Sequence, residues 1–568
     1  MRVPLSWLRD YVAVELPIDE LVLVLGELGT PVEEVHQIGE GLDGVVVAKV
    51  LTVDRIANAD KIRAITVDDG LDEPTPVVCG AWNFEAGATV AFARVGAVLP
   101  GDFAIGKRKM KGVESRGMIC SAAELRLGDD HAGIIVLPDD IAAPGTPFAD
   151  AMGITRDIVL ELEVNANRPD AMSIVGVARD LAAKLELPFA VPSPKVPSRS
   201  GDRVAPITND APDVCGRFVG QVLTGIEIKP SPPEIANRLA AAGMRPINNV
   251  VDASNYVMLE LGIPNHTYDL ARLPGGGLGV RHARAGEVLT TLDEVDRSLT
   301  TDDVVITDAE DTPVGIAGVM GGASSEISDS TTDVLLEAAW WKPIAIARTS
   351  KRLNLRTEAS ARFEKGADWA MIDVAMARFA ELLGVTPAGP VVDVEGELPP
   401  RDAITVRTSR VNGMLGTSLS AAEITSLLDR IGFTSTPSGD DLQVALPTWR
   451  LDSATEIDVI EEVARLYGYS RIARTVPRSP LAGGLTRIQR DRRLVRHVLA
   501  GYGALESWTT TFLSAAQVER AMLDVDDCVV VTNPLVVDEN LLRPSLLPGL
   551  LTSIGYNESH RNPRASLF

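Results

Sequence analysis

The stretch GKRKMKGVESRGMICSAAEL, residues 106–125, decides how the chain is interpreted. Its first part, Gly106 to Arg116, carries five basic side chains and one acidic side chain, in a chain whose formal net charge is −24. The overall field of such an acidic chain repels phosphate, so nucleic acid could bind only at a local basic patch of this kind. A solvated basic loop is the alternative that charge alone leaves open.

The residues around this stretch predict a small barrel. Residues 40–150 contain short runs rich in β-branched residues, separated by Gly, Asn and Asp. OB-fold barrels use basic loops of this type to follow a phosphate backbone. We therefore predict an OB-fold with phosphate contacts at Lys107, Lys109, Lys111 and Arg116.

Composition limits the class of protein. The 568 residues predict several domains, and 45% hydrophobic with 23% charged residues is typical of globular proteins. The 4 cysteines lie far apart, which excludes a disulfide scaffold and a cysteine zinc finger and suits a reducing cytoplasm. No apolar run is long enough to span a membrane, so we expect a soluble cytoplasmic protein.

Changes in pattern along the chain predict a multidomain α+β fold. The predicted segments are an N-terminal helical segment (1–39), the barrel (40–150), a helical connector and linker (151–200), a mixed α/β block (205–385), a compact strand–helix unit (402–475) and a further partial domain (485–568). In the first helix of the strand–helix unit, Ser420 and Glu423 fit a helix capping box.

Two clusters suggest chemistry. In the stretch 452–463, Ser453 and Glu456 fit a capping box, and the helix after them carries closely spaced carboxylates. Oxygen ligands of this kind suit Mg²⁺, although an ordinary acidic helix face explains the spacing equally well. The candidate magnesium ligands are Asp452, Asp458, Glu461 and Glu462.

The second cluster combines a histidine, a carboxylate, a hydroxyl and a glycine-rich loop. Together these groups can hold a water molecule and an ester carbonyl, because glycines let backbone amides approach closely. The structural alternative is that His266 caps a turn and that Glu337 pairs with an arginine. The candidate residues are His266, Gly318, Glu337, Thr357 and Ala359.

Particular motifs carry a resemblance to a known family. Residues 115–125, together with the stretch Asn58 to Ile62, resemble the tRNA-binding OB domain shared by several tRNA synthetases and accessory factors. The whole chain resembles the β subunits of bacterial phenylalanyl-tRNA synthetase, through PLSWL (4–8), NANRPDAMS (165–173) and RPSLLPGLL (543–551). Members of that family continue beyond the last motif, so we expect this chain to be truncated at its C-terminal end.

The resemblance implies a division of labour between subunits. It implies that an α subunit binds ATP and phenylalanine and charges tRNA(Phe), with AMP and diphosphate as products, in a cytoplasmic α2β2 heterotetramer. This chain would supply tRNA binding, scaffold and hydrolytic editing of tyrosyl-tRNA. The domains implied are the OB-fold, an editing block, a winged-helix-like magnesium domain and a partial, non-catalytic synthetase-like domain of class II.

The resemblance also implies roles for residues of the editing block. Glu337 would recognise tyrosine, His266 and Thr357 would position the water or the terminal ribose, and Gly318 and Ala359 would keep the pocket open. Members of the family usually have Ala and Phe where this chain has Thr267 and Tyr268, between His266 and Asp269. A stand-alone tRNA-binding protein and an autonomous hydrolase of mischarged tRNA are the alternatives.

Overall fold

The computed structural model describes residues 1–56, 59, 61–127, 133–154, 156–195, 198–476 and 483–568. The chain divides into two compact units, Met1–Ala473 and Arg474–Phe568. Several sheets and intervening helices confirm a mixed α and β fold with multiple domains. Within the described residues, no helix combines the length and the apolar character that crossing a membrane requires.

The N-terminal residues share a small sheet with a segment far along the chain. Strands Arg2–Pro4 and Val32–Ile38 flank the antiparallel strand Asp157–Leu162. The prediction of a helical segment over residues 1–39 missed strand Val32–Ile38, because most side chains of this strand are exposed and it carries no apolar alternation. The helices of this region are Leu5–Leu8, Ile18–Glu27 and Ile174–Leu185.

Residues 45–147 form a sheet that curls on itself. Its strands are ordered Gly117–Ile119, Thr89–Arg94, Val45–Arg55, Arg63–Asp68 and Thr75–Cys79, and Val136–Leu137 also pairs with Thr89–Arg94. The Arg116 amide donates to the Pro76 carbonyl at 2.8 Å and so joins the two ends of the sheet. Alternate residues of strand Val45–Arg55 enter two separate apolar cores, one on each face.

Short hairpins complete this region. Val98–Leu99 pairs with Phe103–Ala104, and Arg108–Met110 pairs with Val113–Ser115. A short helix, Phe148–Ala151, comes directly after the curled sheet.

Two sheets build residues 205–395. One has the order Asn265–Asp269, Asp333–Trp341, Cys215–Thr224 and Val392–Glu395; the other has the order Ile207–Asn209, Leu278–His282, Val304–Asp308, Pro313–Ile316 and Met320–Gly321. A small hairpin pairs Val288–Thr290 with Asp296–Ser298. The helices are Pro233–Ala241, Asn249–Leu261, Pro343–Leu353, Glu358–Phe363 and Ile372–Leu383.

One strand of this block places a glutamate side chain in the protein interior. Strand Asp333–Trp341 is buried from Val334 to Trp341, between strands Asn265–Asp269 and Cys215–Thr224. Its sequence is an apolar run interrupted by Glu337, so the fold places a carboxyl group inside its main core.

Residues 404–467 form a small sheet covered by helices. Strand Asp441–Ala445 lies between Ile404–Val406 and Thr434–Ser438, and the helices are Thr408–Leu415, Ala421–Asp429 and Glu456–Tyr467. The Ser420–Glu423 capping box is confirmed, since the Ser420 amide donates to the Glu423 carboxylate at 2.8 Å. The sequence predicted the helix bearing this box as the first of the unit, whereas it is the second.

The second predicted capping box is wrong. The helix begins at Glu456, where the Asp458 carboxylate accepts the Thr455 amide at 2.7 Å. The Ser453 hydroxyl is buried and has no partner among the described residues. The cap therefore lies two residues further along the chain than Ser453.

The second unit has a small core. Its helices are Arg487–Gly501, Ala515–Arg520 and Leu547–Ser559, its strand pair is Phe512–Leu513 with Leu541–Leu542, and the core is formed by Leu513, Val518 and Leu541. In the stretch LESWTTTFL (505–513), Phe512–Leu513 forms a strand, and Leu505 makes an isolated parallel bridge to Leu567.

Candidate functional site

His266 and Glu337 are register partners on adjacent antiparallel strands. Because side chains alternate along a strand, Tyr268 shares the face of His266, and the two ring centroids lie 4.6 Å apart at an interplanar angle of 81°. All three side chains line one cavity of about 90 Å³. Its other walls include Asn265, Gly315, Gly318, Met320, Gly321, Trp341, Ala359 and Phe363.

The polar groups of this cavity are neutral near pH 7. Glu337 is 5% exposed, and burial raises the pKa of its carboxyl to about 8. Burial lowers the pKa of His266 to about 4. Within the part of the chain that the structure describes, no arginine pairs with Glu337, so that structural alternative does not hold. The cavity thus presents a carboxylic acid and an uncharged imidazole.

Two glycines make room for the histidine and for the wall behind it. A Cβ atom at Gly321 would lie 2.5 Å from His266 Nε2. Gly318 has a φ of +65°, and a Cβ there would lie 2.9 Å from Trp341 Cδ1. The glycines of this loop therefore permit close packing of His266 and Trp341 at the cavity wall, and the role of Gly318 in keeping the pocket open stays a prediction.

The structure separates the other predicted residues of this site. Ala359 lines the cavity, whereas Thr357 caps helix Glu358–Phe363 behind it. The Thr357 hydroxyl donates to the Val319 carbonyl at 2.8 Å and accepts the Ser360 amide at 3.0 Å. These bonds fix Thr357 in the wall, and its side chain is not part of the cavity lining.

Asp269 also lies away from the cavity. Its carboxylate accepts the Ala271 amide at 3.0 Å and the Thr331 hydroxyl at 2.7 Å, on the strand face opposite to His266. Asp269 therefore stabilises the next turn of the chain and does not line the cavity.

Sequence reasoning did not assign a role in the site to Asn265 or Tyr268. The strand period of two was a usable signal for Tyr268, two residues after His266. Asn265 offered no such signal. Its amide donates to the Ser254 and Ile263 carbonyls, both at 3.3 Å, while its Oδ1 is buried without a partner among the described residues.

A basic hairpin lies in the curled sheet region. Its strands Arg108–Met110 and Val113–Ser115 are joined by Lys111 and Gly112, with φ of +50° and +88°, as tight two-residue hairpin turns require. Among the described residues, Lys107, Lys109 and Lys111 are exposed and form no ion pair. Arg116 pairs with Glu114 at 3.0 Å. Asn58 and Asp60, from the stretch that resembles the tRNA-binding domain, lie outside the described residues.

The four predicted magnesium ligands have different surroundings. Both oxygens of Asp452 accept from Arg450, at 2.9 and 2.8 Å. Glu462 is buried between Arg450 and Arg465, whereas Glu461 is exposed. Asp458 accepts the Ala454 and Thr455 amides. Protein donors therefore engage three of the four carboxylates, and magnesium binding by the set stays a prediction.

Glu462 belongs to a buried ion-pair network. Burial alone would raise the pKa of Glu462, but the charges of Arg465 and Arg450 lower it to about 2. Arg465 also contacts Asp180 at 2.6 Å, and Arg168 contacts Asp180 at 2.7 Å. The network ties helix Glu456–Tyr467 to helix Ile174–Leu185.

One other grouping has side chains of the metal-ligating type. Within the described ranges, Glu34, His36 and Glu161 are close enough to share an ion. His36 Nε2 lies 2.7 Å from Glu161, which also accepts from Arg2 at 3.0 Å. These pairs account for the cluster without a metal.

Comparison with protein families covers most of the chain. Residues 45–147 match a putative tRNA binding domain, and residues 214–385 match a B3/4 domain. Residues 404–469 match a tRNA synthetase B5 domain. Residues 472–568 match the phenylalanyl tRNA synthetase beta chain CLM domain.

Individual relatives align over nearly the whole chain. The phenylalanine–tRNA ligase beta subunit of Geobacter sulfurreducens is 42% identical over 581 residues, covering 100% of this chain and 72% of the relative. That of Geobacillus kaustophilus is 40% identical over 582 residues, with the same coverages. That of Thermobifida fusca is 42% identical, covering 98% of this chain and 69% of the relative. The chain therefore belongs to the family of phenylalanine–tRNA ligase β subunits.

Proposed function

We propose that this chain is the tRNA-binding and editing subunit of a phenylalanine–tRNA ligase. A separate α subunit binds ATP and phenylalanine and esterifies tRNA(Phe), releasing AMP and diphosphate, in an α2β2 heterotetramer. The succession of four family matches between residues 45 and 568 favours this role over a stand-alone tRNA-binding protein. It also favours it over an autonomous hydrolase, which needs neither the B5 nor the CLM domain.

The observation that carries the editing proposal is the buried carboxyl of Glu337, which has no ion-pair partner among the described residues, in the cavity it shares with His266. Tyrosine differs from phenylalanine by one hydroxyl, and an apolar synthetic pocket rejects that hydroxyl only by a factor of about 10². A hydroxyl placed in this cavity can pair with Glu337. Phenylalanine would leave the buried carboxyl unpaired, at a cost of about 1–3 kcal/mol.

His266 is suited to holding the attacking water. Its imidazole is uncharged near pH 7 and can accept a hydrogen bond from water while the aminoacyl ester lies beside it. The ester is already reactive, so positioning a water suffices and no covalent intermediate is needed. Thr357 contributes by fixing the loop that carries Val319 and the helix that carries Ala359.

Lys107, Lys109 and Lys111 contact tRNA phosphates in this proposal, and Arg116 contributes less because Glu114 already pairs with it. Magnesium enters with ATP, whose phosphate charge it neutralises. Binding of magnesium at Asp452, Asp458, Glu461 and Glu462 remains a prediction, and no step of the reaction is assigned to it.

The test uses the assembled complex of this chain with its α subunit. Glu337→Ala is expected to stop hydrolysis of purified tyrosyl-tRNA while charging with phenylalanine stays near the wild-type rate. Glu395→Ala is the matched control, since Glu395 is an exposed glutamate on the edge strand of the same sheet. Wild-type clearance of tyrosyl-tRNA by Glu337→Ala would place the editing site elsewhere.

A further inference from the structure

A second cavity, of about 440 Å³, lies between the basic hairpin and the curled sheet. We call it the hairpin cavity. Its lining mixes apolar side chains, among them Phe103, Ile105, Met110 and Ile134, with polar side chains that include Arg108 and Glu124. It is separate from the cavity of His266 and Glu337.

The basic hairpin has two chemically different faces. Arg108 and Met110 line the cavity, while Lys109 between them does not. This alternation follows from the strand period of two. The turn residue Lys111 and the preceding Lys107 are exposed and do not line the cavity either. One face of the hairpin therefore lines the cavity, where an aromatic ring could bind, and the other face carries exposed lysines.

Phe103 and Arg108 together provide a stacking surface at the cavity. The Phe103 side chain is 44% exposed, and the Arg108 guanidinium lies 6.0 Å from the centroid of its ring. Among the described residues, no carboxylate forms an ion pair with Arg108. Aromatic rings and guanidinium planes are the groups on which proteins stack unpaired bases.

We propose that the hairpin cavity binds one unpaired nucleobase of an RNA, stacked on Phe103 and Arg108, while Lys107, Lys109 and Lys111 hold the flanking phosphates. The proposal rests on the proposed tRNA-binding function and goes beyond phosphate contact. An aromatic base complements the apolar lining, and the free lysines complement its phosphates in a chain with a net charge of −24. A base inside a duplex could not enter the cavity, so the site selects single-stranded segments.

Polar groups at the wall can contact the edge of the base. The Glu124 carboxylate already accepts the Ser121 amide at 2.6 Å and the Ser121 hydroxyl at 2.8 Å, which fixes both side chains at the cavity. A carboxylate oxygen accepts hydrogen bonds from exocyclic amino groups of bases. A preference for bases that carry an amino group is therefore expected.

The experiment titrates the full chain with a short oligouridylate containing one 2-aminopurine, at several salt concentrations. Stacking of the base is expected to quench its fluorescence. Phe103→Ala should weaken binding roughly 5- to 150-fold without changing the salt slope, because it removes stacking and no charge. Phe103→Trp should restore binding. Val98→Ala is the matched control, since Val98 is 48% exposed on the strand that pairs with Phe103 and does not line the cavity.

Affinity of Phe103→Ala within about twofold of wild type would overturn the proposal. An equal loss in Val98→Ala, or equally tight binding of the same sequence in a duplex, would also overturn it. Hydrolysis of tyrosyl-tRNA is measured on the same variants, so failure of the base site is distinguished from failure of the proposed editing function.

Discussion

The carboxyl group of Glu337 faces the imidazole of His266 across two neighbouring antiparallel strands. Both groups reach one small cavity, and burial shifts their pKa values in opposite directions, each toward the uncharged form. A desolvated pair without a counter-charge weakens the fold, which is typical of a site arranged for a ligand.

The first prediction concerns pH. The pKa of Glu337 is raised from 4.5 to about 8, so between these values the folded chain keeps a proton that the unfolded chain has lost. Stability contributed by this group is complete below pH 4.5 and is lost as pH rises toward 8. The melting temperature of Glu337→Gln, measured relative to that of wild type, should therefore rise between pH 5 and pH 8.5. For Glu395→Gln this difference from wild type should not change with pH. If the difference for Glu337→Gln does not change with pH either, the assignment is contradicted.

A second prediction concerns the size of the cavity. Ala359 lines it, and Ala359→Trp should fill its volume of about 90 Å³. We expect the variant to lose hydrolysis of tyrosyl-tRNA while phenylalanine charging by the complex is retained. Ala370→Trp, at an exposed position of the same block, serves as the control. Rates are measured with purified tyrosyl-tRNA, and an active Ala359→Trp would show that the substrate does not enter this cavity.

The basic hairpin gives a third prediction. Replacing Lys107, Lys109 and Lys111 with Ala should reduce the salt slope of tRNA binding by about 0.7–0.9 for each phosphate contact removed. Arg116→Ala should change the slope less, because Arg116 pairs with Glu114. The measurement is a titration of tRNA affinity against salt concentration. An unchanged slope in the triple variant would favour the solvated-loop alternative.

The acidic stretch gives a fourth prediction, which separates structure from metal binding. Glu462→Gln should lower the free energy of unfolding by about 3–5 kcal/mol, because it leaves buried Arg450 and Arg465 without a full counter-charge. Glu461→Gln should stay within about 0.5 kcal/mol of wild type, since Glu461 is exposed. Thermal melts with magnesium and with a chelator check both variants. If each variant loses stability only in the presence of magnesium, the four carboxylates bind the ion after all.

The sequence predicted the residues that line the cavity of His266 and Glu337 better than it predicted their hydrogen-bond partners. A histidine, a carboxylate and a glycine-rich loop were recognisable, and His266, Glu337, Gly318 and Ala359 do line one cavity. Thr357 could not be placed, because helix caps and substrate ligands use the same hydroxyl chemistry. Side-chain alternation puts His266 and Tyr268 on one face of their strand and Asp269 on the other, whereas only the register between strands sets Glu337 opposite His266.

Strand pairing between segments distant in the sequence was the main feature of the fold that the sequence did not predict. Strand Val32–Ile38 pairs with a segment far along the chain and has little apolar pattern of its own. Asp452 pairs with Arg450, and Glu462 pairs with both Arg450 and Arg465. Local spacing of the carboxylates does not reveal which of them turn inward to meet these arginines. Spacing alone predicts a metal site, and it does not show that Asp452 and Glu462 also form ion pairs with arginines.

The most direct test of the editing assignment compares hydrolysis of tyrosyl-tRNA with hydrolysis of phenylalanyl-tRNA by the complete α and β complex. Wild type should clear tyrosyl-tRNA much faster than phenylalanyl-tRNA, because only tyrosine offers a hydroxyl to Glu337. His266→Ala should slow the hydrolysis of tyrosyl-tRNA, and Glu337→Ala should abolish the preference between the two. Equal rates on both substrates in the wild type, or an undiminished preference in Glu337→Ala, would contradict the assignment of this cavity as the editing site.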